Sequence, residues 1–356
     1  MKLEKKTEFS QALIAWYKIN KRDLPWRGTS APYAIWLSEI ILQQTRVTQG
    51  IDYYNRILSA FPDIRALAAA SEDQVMKLWQ GLGYYTRARN MHATAKYLSA
   101  ERNGVFPGTY TELLKLKGIG EYTAAAIASI AFGEAVPVVD GNVLRVFTRY
   151  TGLNKPVENA AVKKNIRKEL QGIMDRKKPA LFNQAIMELG ALCCTPKSPK
   201  CNQCPLQNGC YAFQHNQQQL LPVKKRKKEV KERYFHYLVM LHGGSTFISR
   251  REKTDIWKSL YEFPLIETRT DTPEKKLFAT PEFAALLPLV RYRVTARASY
   301  RHVLTHQLIH ARFYILQLED PGMKLADRYI CISRDELNSY AFPGLIAGFL
   351  SAFKLE

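Results

Sequence analysis

Cys194-Thr195-Pro196-Lys197-Ser198-Pro199-Lys200-Cys201-Asn202-Gln203-Cys204-Pro205-Leu206-Gln207-Asn208-Gly209-Cys210 carries four of the six cysteines of the chain. Thiols packed this densely in one loop are metal ligands or disulfide partners. Met1 to Lys6 leads straight into a helical pattern, with no charged-then-apolar signal segment, so the expected compartment is a reducing one in which thiols stay free. Zinc accepts four thiolates but favours paired Cys-x2-4-Cys knuckles, and only Cys201 and Cys204 form one. Mixed long and short gaps suit an iron–sulfur cube, which takes four cysteine ligands. The expectation is a cluster on Cys194, Cys201, Cys204 and Cys210, with zinc as the alternative. Cys193 and Cys331 are expected to be small buried apolar residues.

The rest of the chain fits that loop into a larger plan. Its 356 residues allow two or three domains, and 46% hydrophobic content can build real cores. No apolar run reaches the roughly 18 residues of a membrane span, so a cytoplasmic protein is expected, at the nucleoid if the source is bacterial. The 52 Lys and Arg against 32 Asp and Glu leave a formal charge of +20, which points to a polyanionic partner and first to nucleic acid. Residues 1 to about 215 read as helical, with apolar positions at three and four spacing, as in Phe9, Leu13, Trp16 and Tyr17. A polar stretch from Gln214 to Gln219 and the run Lys224-Lys225-Arg226-Lys227-Lys228 follow. Past Arg233 the period changes to two. Phe235, Tyr237, Val239 and Leu241 alternate with Tyr234, His236, Leu238 and Met240. The run turns at Gly243-Gly244 and resumes at Thr246, a hairpin signal. Ala311 to Leu318 is a further strand candidate, so the second half reads as α+β.

Three stretches carry chemistry. Leu116-Lys117-Gly118-Ile119-Gly120 lies between helical segments, and its glycines permit a tight turn whose following helix points amide N–H groups at a phosphate. With the charge and the cysteines, this reads as a helix-hairpin-helix DNA clamp at Gly118 and Gly120. Glu39 lies on an apolar helical stripe with Ile35, Trp36 and Leu42; desolvation there raises a carboxyl pKa and suits a general acid. The plainer reading is a core glutamate bonded to Gln43 or the backbone. Asp140 precedes Gly141-Asn142-Val143 and is placed to cap a helix, where amides and the dipole should keep it ionised. One protonated and one ionised carboxyl are what glycosidic cleavage requires.

On these residues the chain resembles the MutY-type adenine DNA glycosylases of the endonuclease III superfamily. The resemblance rests on Leu24-Pro25-Trp26-Arg27, Trp36-Leu37-Ser38-Glu39 with Leu42-Gln43-Gln44-Thr45, Gly81-Leu82-Gly83-Tyr84-Tyr85, the turn at Gly118, Val139-Asp140-Gly141-Asn142-Val143, Phe182-Asn183-Gln184 and the four cysteines. It implies a mainly α helix-hairpin-helix glycosylase core with a [4Fe–4S] cluster loop, followed by an α+β Nudix-like domain. The expected division is 1–222 for the catalytic region, 223–232 for a basic linker and 233–356 for recognition of 8-oxoguanine.

The resemblance also implies roles. Glu39 protonates N7 of a flipped-out adenine, Asp140 stabilises the sugar cation, and Tyr122 and Asn142 support that centre. Trp26, Arg27 and Gln184 match the adenine pocket. Gln44 and Tyr84 match residues inserted into the base stack, and Thr45 and Leu82 lie where the family contacts 8-oxoguanine. Bifunctional relatives carry a lysine where this chain has Tyr122. A phenol forms no Schiff base, so the implied enzyme is monofunctional, a monomer acting on double-stranded DNA with A:8-oxoguanine or A:G mispairs. The family's Phe-Ser-His loop corresponds to Leu304-Thr305-His306, which keeps a hydroxyl and the imidazole but loses the aromatic. Asp255 to Pro264 looks Nudix-like, without the following Arg-Glu-x-x-Glu-Glu run for magnesium, so nucleotide hydrolysis is not expected. The connector has no cysteines for zinc. The rival readings are an endonuclease III-like glycosylase/lyase and a non-catalytic iron–sulfur DNA-binding protein.

Overall fold

The computed structural model describes residues 3–225, 230–252, 254–288, 290–319, 325–353 and 355. Arg226 to Lys228 of the basic run, and with Glu229 part of the expected linker, lie outside the described residues. The chain divides into two compact units, one of residues 1–69 and 90–226, the other of residues 70–89 and 227–356. The segment 70–89, placed by sequence within the helical region, thus groups with the C-terminal half.

The first unit is helical. Its central helix, Pro32–Leu42, begins with proline, whose missing N–H is no loss at that position, and Ala34 to Ile41 are all buried. A helix apolar all round must be enclosed by others. Helix Glu121–Ala131 packs on it, and Ala124, Ala125, Ala126 and Ala128 on this helix are fully buried, small enough to bring backbones close. Helix Pro179–Leu192 lies against Leu3–Asn20, Glu121–Ala131 and Gly141–Thr151. At Gly190 a Cβ would stand 2.6 Å from the Asn142 Cβ. That close approach, open only to glycine, fixes where Asn142 and the start of its helix sit.

The second unit is built on a mixed sheet. Its strands are β1 (Lys231–His242), β2 (Ser245–Arg250), β3 (Tyr261–Glu262), β4 (Leu265–Thr268), β5 (Tyr292–Val303), β6 (Gln307–Leu318) and β7 (Tyr329–Ser333). The order is β3-β2-β1-β6-β5, with β4 also on β1 and β7 on β2. The hairpin at Gly243-Gly244 joins β1 to β2. β1 also pairs in parallel with β6, Lys231 opposite Gln307 through Leu241 opposite Gln317. The strict alternation read from the sequence does not become a half-exposed strand, because β1 is buried on both faces from Phe235 to Leu241. One face packs Phe235, Tyr237 and Phe313 near Phe349 of helix Gly344–Ala352, the rings of Phe313 and Phe349 stacking at 4.1 Å. The other buries Leu238, Met240, Tyr314 and Leu316 against Leu277, Phe283 and Leu286. Cys331, expected in the core, is exposed: β7 pairs β2 on an outer position of the sheet, and its Cys331 side chain faces water.

Candidate active site and cluster loop

Glu39 sits on the enclosed helix Pro32–Leu42, 8% exposed. Burial pushes its carboxyl up to about 7, the negative Asp140 adds to the rise, and a hydrogen bond with Tyr122 opposes it. The Tyr122 hydroxyl lies within reach of both Glu39 and Met187 Sδ, at 3.2 Å from the latter. Tyr122 comes from the first turn of Glu121–Ala131, which places it across from Glu39.

Asp140 caps helix Gly141–Thr151. Its Oδ1 accepts the Val143 N–H at 2.7 Å and its Oδ2 accepts the Asn142 amide at 2.8 Å. The sequence placed this carboxylate under the helix amides and so in its ordinary range. Burial instead raises it above that range, opposed by the bonds from Val143 and Asn142 and by the nearby Arg145 charge. Glu39 lacks such a set of opposing contacts and is the more readily protonated of the two.

These residues share one cavity of about 720 Å³, lined by Glu39, Gln44, Gly118, Gly120, Tyr122 and Asp140. Two of its walls were not foreseen. Lys163 and Arg167, from helix Ala160–Gln171, also line it, and Arg167 pairs with Glu121 at 2.8 Å. Their signal was present in Val162-Lys163-Lys164-Asn165-Ile166-Arg167-Lys168, a basic face three and four residues apart. Gly118 adopts φ +80, and a Cβ there would meet Asn90 at 2.6 Å. Gly120 caps helix Glu121–Ala131 with no side chain over the first amides, which leaves that end open to an anion. Gln44 takes φ 58, a left-handed backbone for a residue other than glycine. Such strain collects at functional turns. Thr45 follows it, half-buried, its hydroxyl 3.5 Å from the Gln43 carbonyl.

Of the residues matched to an adenine pocket, Gln184 and Arg27 are tied into one network through Tyr17, and Trp26 packs elsewhere. Gln184 accepts from the Tyr17 hydroxyl at 2.8 Å. Arg27 lies over the Tyr17 ring, 5.4 Å from its centroid, and donates to both Glu188 oxygens at 2.9 and 2.6 Å. Arg22 grips the same carboxylate. Trp26 packs edge-on against Tyr54 at 5.2 Å. Glu188 is the anchor that sequence reasoning missed. Burial alone would raise its carboxyl, but bonds from Arg22 and Arg27 hold it down to about 2. Its signal was a lone glutamate four residues after Gln184 in an apolar helix, the same pattern that singled out Glu39.

The second unit holds the remaining candidates. Thr305 and His306 are exposed at the tip of the β5–β6 hairpin, which is closed by the Leu304 N–H on the Gln307 carbonyl at 2.8 Å. Tyr84, at φ 47, meets the Thr305 hydroxyl at 2.5 Å. Leu82, Tyr84, Thr305 and His306 line a cavity of about 430 Å³ together with Trp257 and His302.

In the cysteine loop, Cys194 follows helix Pro179–Leu192. Short 3-10 turns at Cys201–Gln203 and Gln207–Gly209 present the next three cysteines. Cationic and amide donors face the sulfurs, with Arg149 at 3.4 Å from Cys194 Sγ and Gln218 at 4.0 Å from Cys201 Sγ, and such donors stabilise thiolates. Among the described residues no three His, Cys, Asp or Glu side chains converge on one ion, and a cube, with one cysteine at each of its irons, does not ask them to. The four cysteines therefore fit the cluster, which supplies, when bound, a rigid cross-link for this loop. Arg149, buried, also donates to the carbonyls of Thr195, Pro196 and Leu221 and so ties the loop to helix Gly141–Thr151.

Comparison with known proteins agrees with this arrangement. Residues 37–173 match the HhH-GPD superfamily of base excision DNA repair proteins, 194–210 the iron–sulfur binding domain of endonuclease III, and 236–352 the NUDIX domain. A solved thermostable thymine-DNA glycosylase aligns with a TM-score of 0.55 at 26% identity, over 60% of this chain and 98% of that one. A non-covalent endonuclease III–DNA complex aligns at 0.53 and 21% identity, over 61% and 98%, and shares the fold. The adenine DNA glycosylase of Mus musculus is 42% identical over 64% of this chain and 46% of its own. That of Buchnera aphidicola subsp. Schizaphis graminum is 38% identical over 267 residues, 75% of this chain and 77% of its own. With iron–sulfur loop, hairpin clamp and paired carboxyls in one chain, and a relative matched over most of its length, this protein belongs to the adenine DNA glycosylase family.

Proposed function

We propose that the chain excises adenine mispaired with 8-oxoguanine, or with G, from double-stranded DNA, working as a monomer and leaving an abasic site. The observation that carries this reading is the pair of unequal carboxyls in one cavity, Glu39 pushed up to about 7 and Asp140 bonded through both oxygens. A protonated Glu39 gives its proton to N7 of the extruded adenine. The C1′–N9 bond then breaks and its electron pair leaves with the base. The sugar cation that remains faces the Asp140 carboxylate, which balances its charge and bonds to it briefly. Water takes that place at C1′ and returns a proton to Glu39. Tyr122 offers no amine to attack the sugar, so strand cleavage does not follow. Trp26, Arg27 and Gln184 hold the base, and Glu188 fixes Arg27 for that task. Gly118 and Gly120 hold a phosphate, while Gln44 and Tyr84 fill the stack that adenine leaves.

In this reading residues 1–222 perform the chemistry, 223–232 link, and 233–356 read the opposite base with Thr305 and His306, joined by Thr45 and Leu82. An excision assay on duplexes carrying A opposite 8-oxoguanine, A opposite G, and thymine glycol tests it. Adenine release with uncut strands supports the proposal. Release of thymine glycol with strand cleavage would make the chain an endonuclease III-like lyase, and binding without release would make it a non-catalytic DNA-binding protein.

A further inference from the structure

The segment that leads into Asp140 is tied down by side chains. Residues 133–140 belong to no helix or strand, yet Pro137 and Val138 are buried. Buried backbone groups need hydrogen-bond partners. Asn183, fully buried on helix Pro179–Leu192, provides them. Its Oδ1 accepts the Val138 N–H at 3.1 Å, and its Nδ2 donates to the Val136 carbonyl at 2.8 Å. One side-chain amide therefore pairs with the segment as a neighbouring strand would. Gln171 adds a tie farther back, on the Ala135 carbonyl.

The amide has only one workable orientation. A backbone N–H can only donate and a carbonyl can only accept, which fixes the positions of Oδ1 and Nδ2. The second Nδ2 hydrogen goes to Ser129 Oγ at 2.8 Å, and that hydroxyl gives its own hydrogen to the Ala126 carbonyl at 3.2 Å. Ser129 is fully buried on helix Glu121–Ala131, the helix that carries Tyr122. Asn183 therefore joins three elements of the site. Its own helix holds Gln184, which bonds Tyr17, Met187, which meets the Tyr122 hydroxyl, and Glu188, which anchors Arg27. With no exposed surface, Asn183 touches neither base nor sugar and acts through the groups it holds.

We propose that Asn183 is a positioning residue for adenine excision, which fixes Asp140 against both the helix that holds the base and the helix that carries Tyr122. This inference rests on the role of Asp140 proposed above. The cap bonds from Val143 and Asn142 turn the carboxylate towards its own helix. The Asn183 bonds fix the chain on the other side of it, at Val138 and Val136. Both sides must be held, because a misplacement of about 1 Å at a reacting group costs on the order of 100-fold in rate.

Single-turnover excision of A opposite G by saturating full-length, iron-loaded protein tests it, in the wild type, Asn183→Leu and Asn183→Gln. Thermal midpoints report folding. Affinity for a duplex with uncleavable 2′-fluoro-2′-deoxyadenosine opposite G reports binding. Asn183→Leu leaves the Val138 N–H and Val136 carbonyl unpaired. Asn183→Gln keeps the amide and moves it by one carbon–carbon bond, about 1.5 Å, so it stays informative if Asn183→Leu fails to fold. The saturated rate of Asn183→Gln should fall at least about tenfold, with duplex affinity within about threefold of wild type, a loss of rate and not of binding. The pH at which excision halves should stay at about 7, because Glu39 is untouched. A wild-type saturated rate in folded Asn183→Gln overturns the proposal, since a lower melting point alone does not slow the folded protein. A shifted pH midpoint overturns it as well, because the effect would then run through Glu39. Asp140→Asn, measured in parallel, separates the two readings. If it excises at the wild-type rate, the role of Asp140 fails and takes this inference with it. If it is slow while Asn183→Gln is not, this inference alone fails.

Discussion

The side chain of Arg145 donates from Nε to the backbone carbonyl of Cys194 at 2.7 Å. Its Nη2 donates to Asn142 Oδ1 at 2.8 Å and to the Gly190 carbonyl at 2.7 Å. Asn142 in turn donates to Asp140. One guanidinium therefore joins the first cysteine of the loop to the carboxylate proposed to face the sugar cation. Bonds from a charged donor contribute about 1.5–3 kcal/mol each, so losing this link should affect both ends. Arg145→Met is expected to lower single-turnover adenine excision by at least about tenfold and to speed iron loss to a chelator. Wild-type values for both measurements would reduce Arg145 to a surface contact.

Glu39 gives a pH prediction with a definite sign. Its folded carboxyl lies at about 7 against an ordinary 4.5. As the proton donor it works below about 7, so excision should fall as pH rises through that value. Glu39→Gln, unable to donate a proton, should lose at least about 100-fold in excision while still binding DNA. Stability falls with rising pH as well. The folded state holds this proton more tightly than the unfolded chain, so the wild type is progressively destabilised between pH 4.5 and 7. At about 1.4 kcal/mol per pH unit the full effect is on the order of 3 kcal/mol. Glu39→Gln should therefore melt higher than wild type at pH 8, with the difference shrinking towards pH 5. A constant difference across that range would show that Glu39 does not titrate there.

Asp140 combines a cap with a charge, and one substitution separates them. Asn caps a helix about as well as Asp, so Asp140→Asn should shift the thermal midpoint little. The neutral amide cannot balance a sugar cation, and excision should fall by two orders of magnitude or more, on the order of 3 kcal/mol of barrier. A large loss of stability with activity intact would leave Asp140 as a cap alone.

Much of this arrangement is legible in the sequence, for specific reasons. The cysteine spacing, the Gly118 turn and the carboxyl on an apolar stripe are local signals, and each sits where its neighbours in sequence dictate. What was not legible depends on distant partners. β1 reads as alternating, yet the helices that cover its two faces come from residues 274–286 and 344–352. Asp140 looks like a simple cap until the burial that raises it is seen. Glu188 becomes an anchor only when Arg22 and Arg27, more than 160 residues earlier, close on it. The segment 70–89 carries no sign in its own sequence that Lys77 will bond the Tyr340 carbonyl at 3.0 Å and Arg89 the Lys258 carbonyl at 2.5 Å.

That last grouping shapes how recognition of the opposite base should be tested. A chain ending at Lys225 keeps every cysteine of the cluster and both carboxyls, but strips residues 70–89 of their partners on β3 and around Lys258 and Tyr340. It should bind iron, melt below the full chain, and lose most of its preference for the 8-oxoguanine pair. Because some of that loss could come from a loosened Leu82 and Tyr84, point variants are the sharper probe. Tyr84 and Thr305 share one hydrogen bond at 2.5 Å, and a hydroxyl has one donor and two acceptor positions, so a base read by Thr305 uses the capacity that this bond leaves or replaces the bond. Thr305→Ala with His306→Ala removes the hydroxyl and imidazole from an exposed hairpin tip and should leave the fold intact. A lost base contact costs about 1–3 kcal/mol of discrimination, so the ratio of excision opposite 8-oxoguanine to excision opposite G should fall about fivefold to more than a hundredfold. Tyr84→Phe, which frees the Thr305 hydroxyl in the absence of DNA, should lower this ratio less than the double variant. If the ratio is unchanged in the double variant, recognition lies with Gln44, Thr45 and Leu82, and the hairpin tip has no part in it.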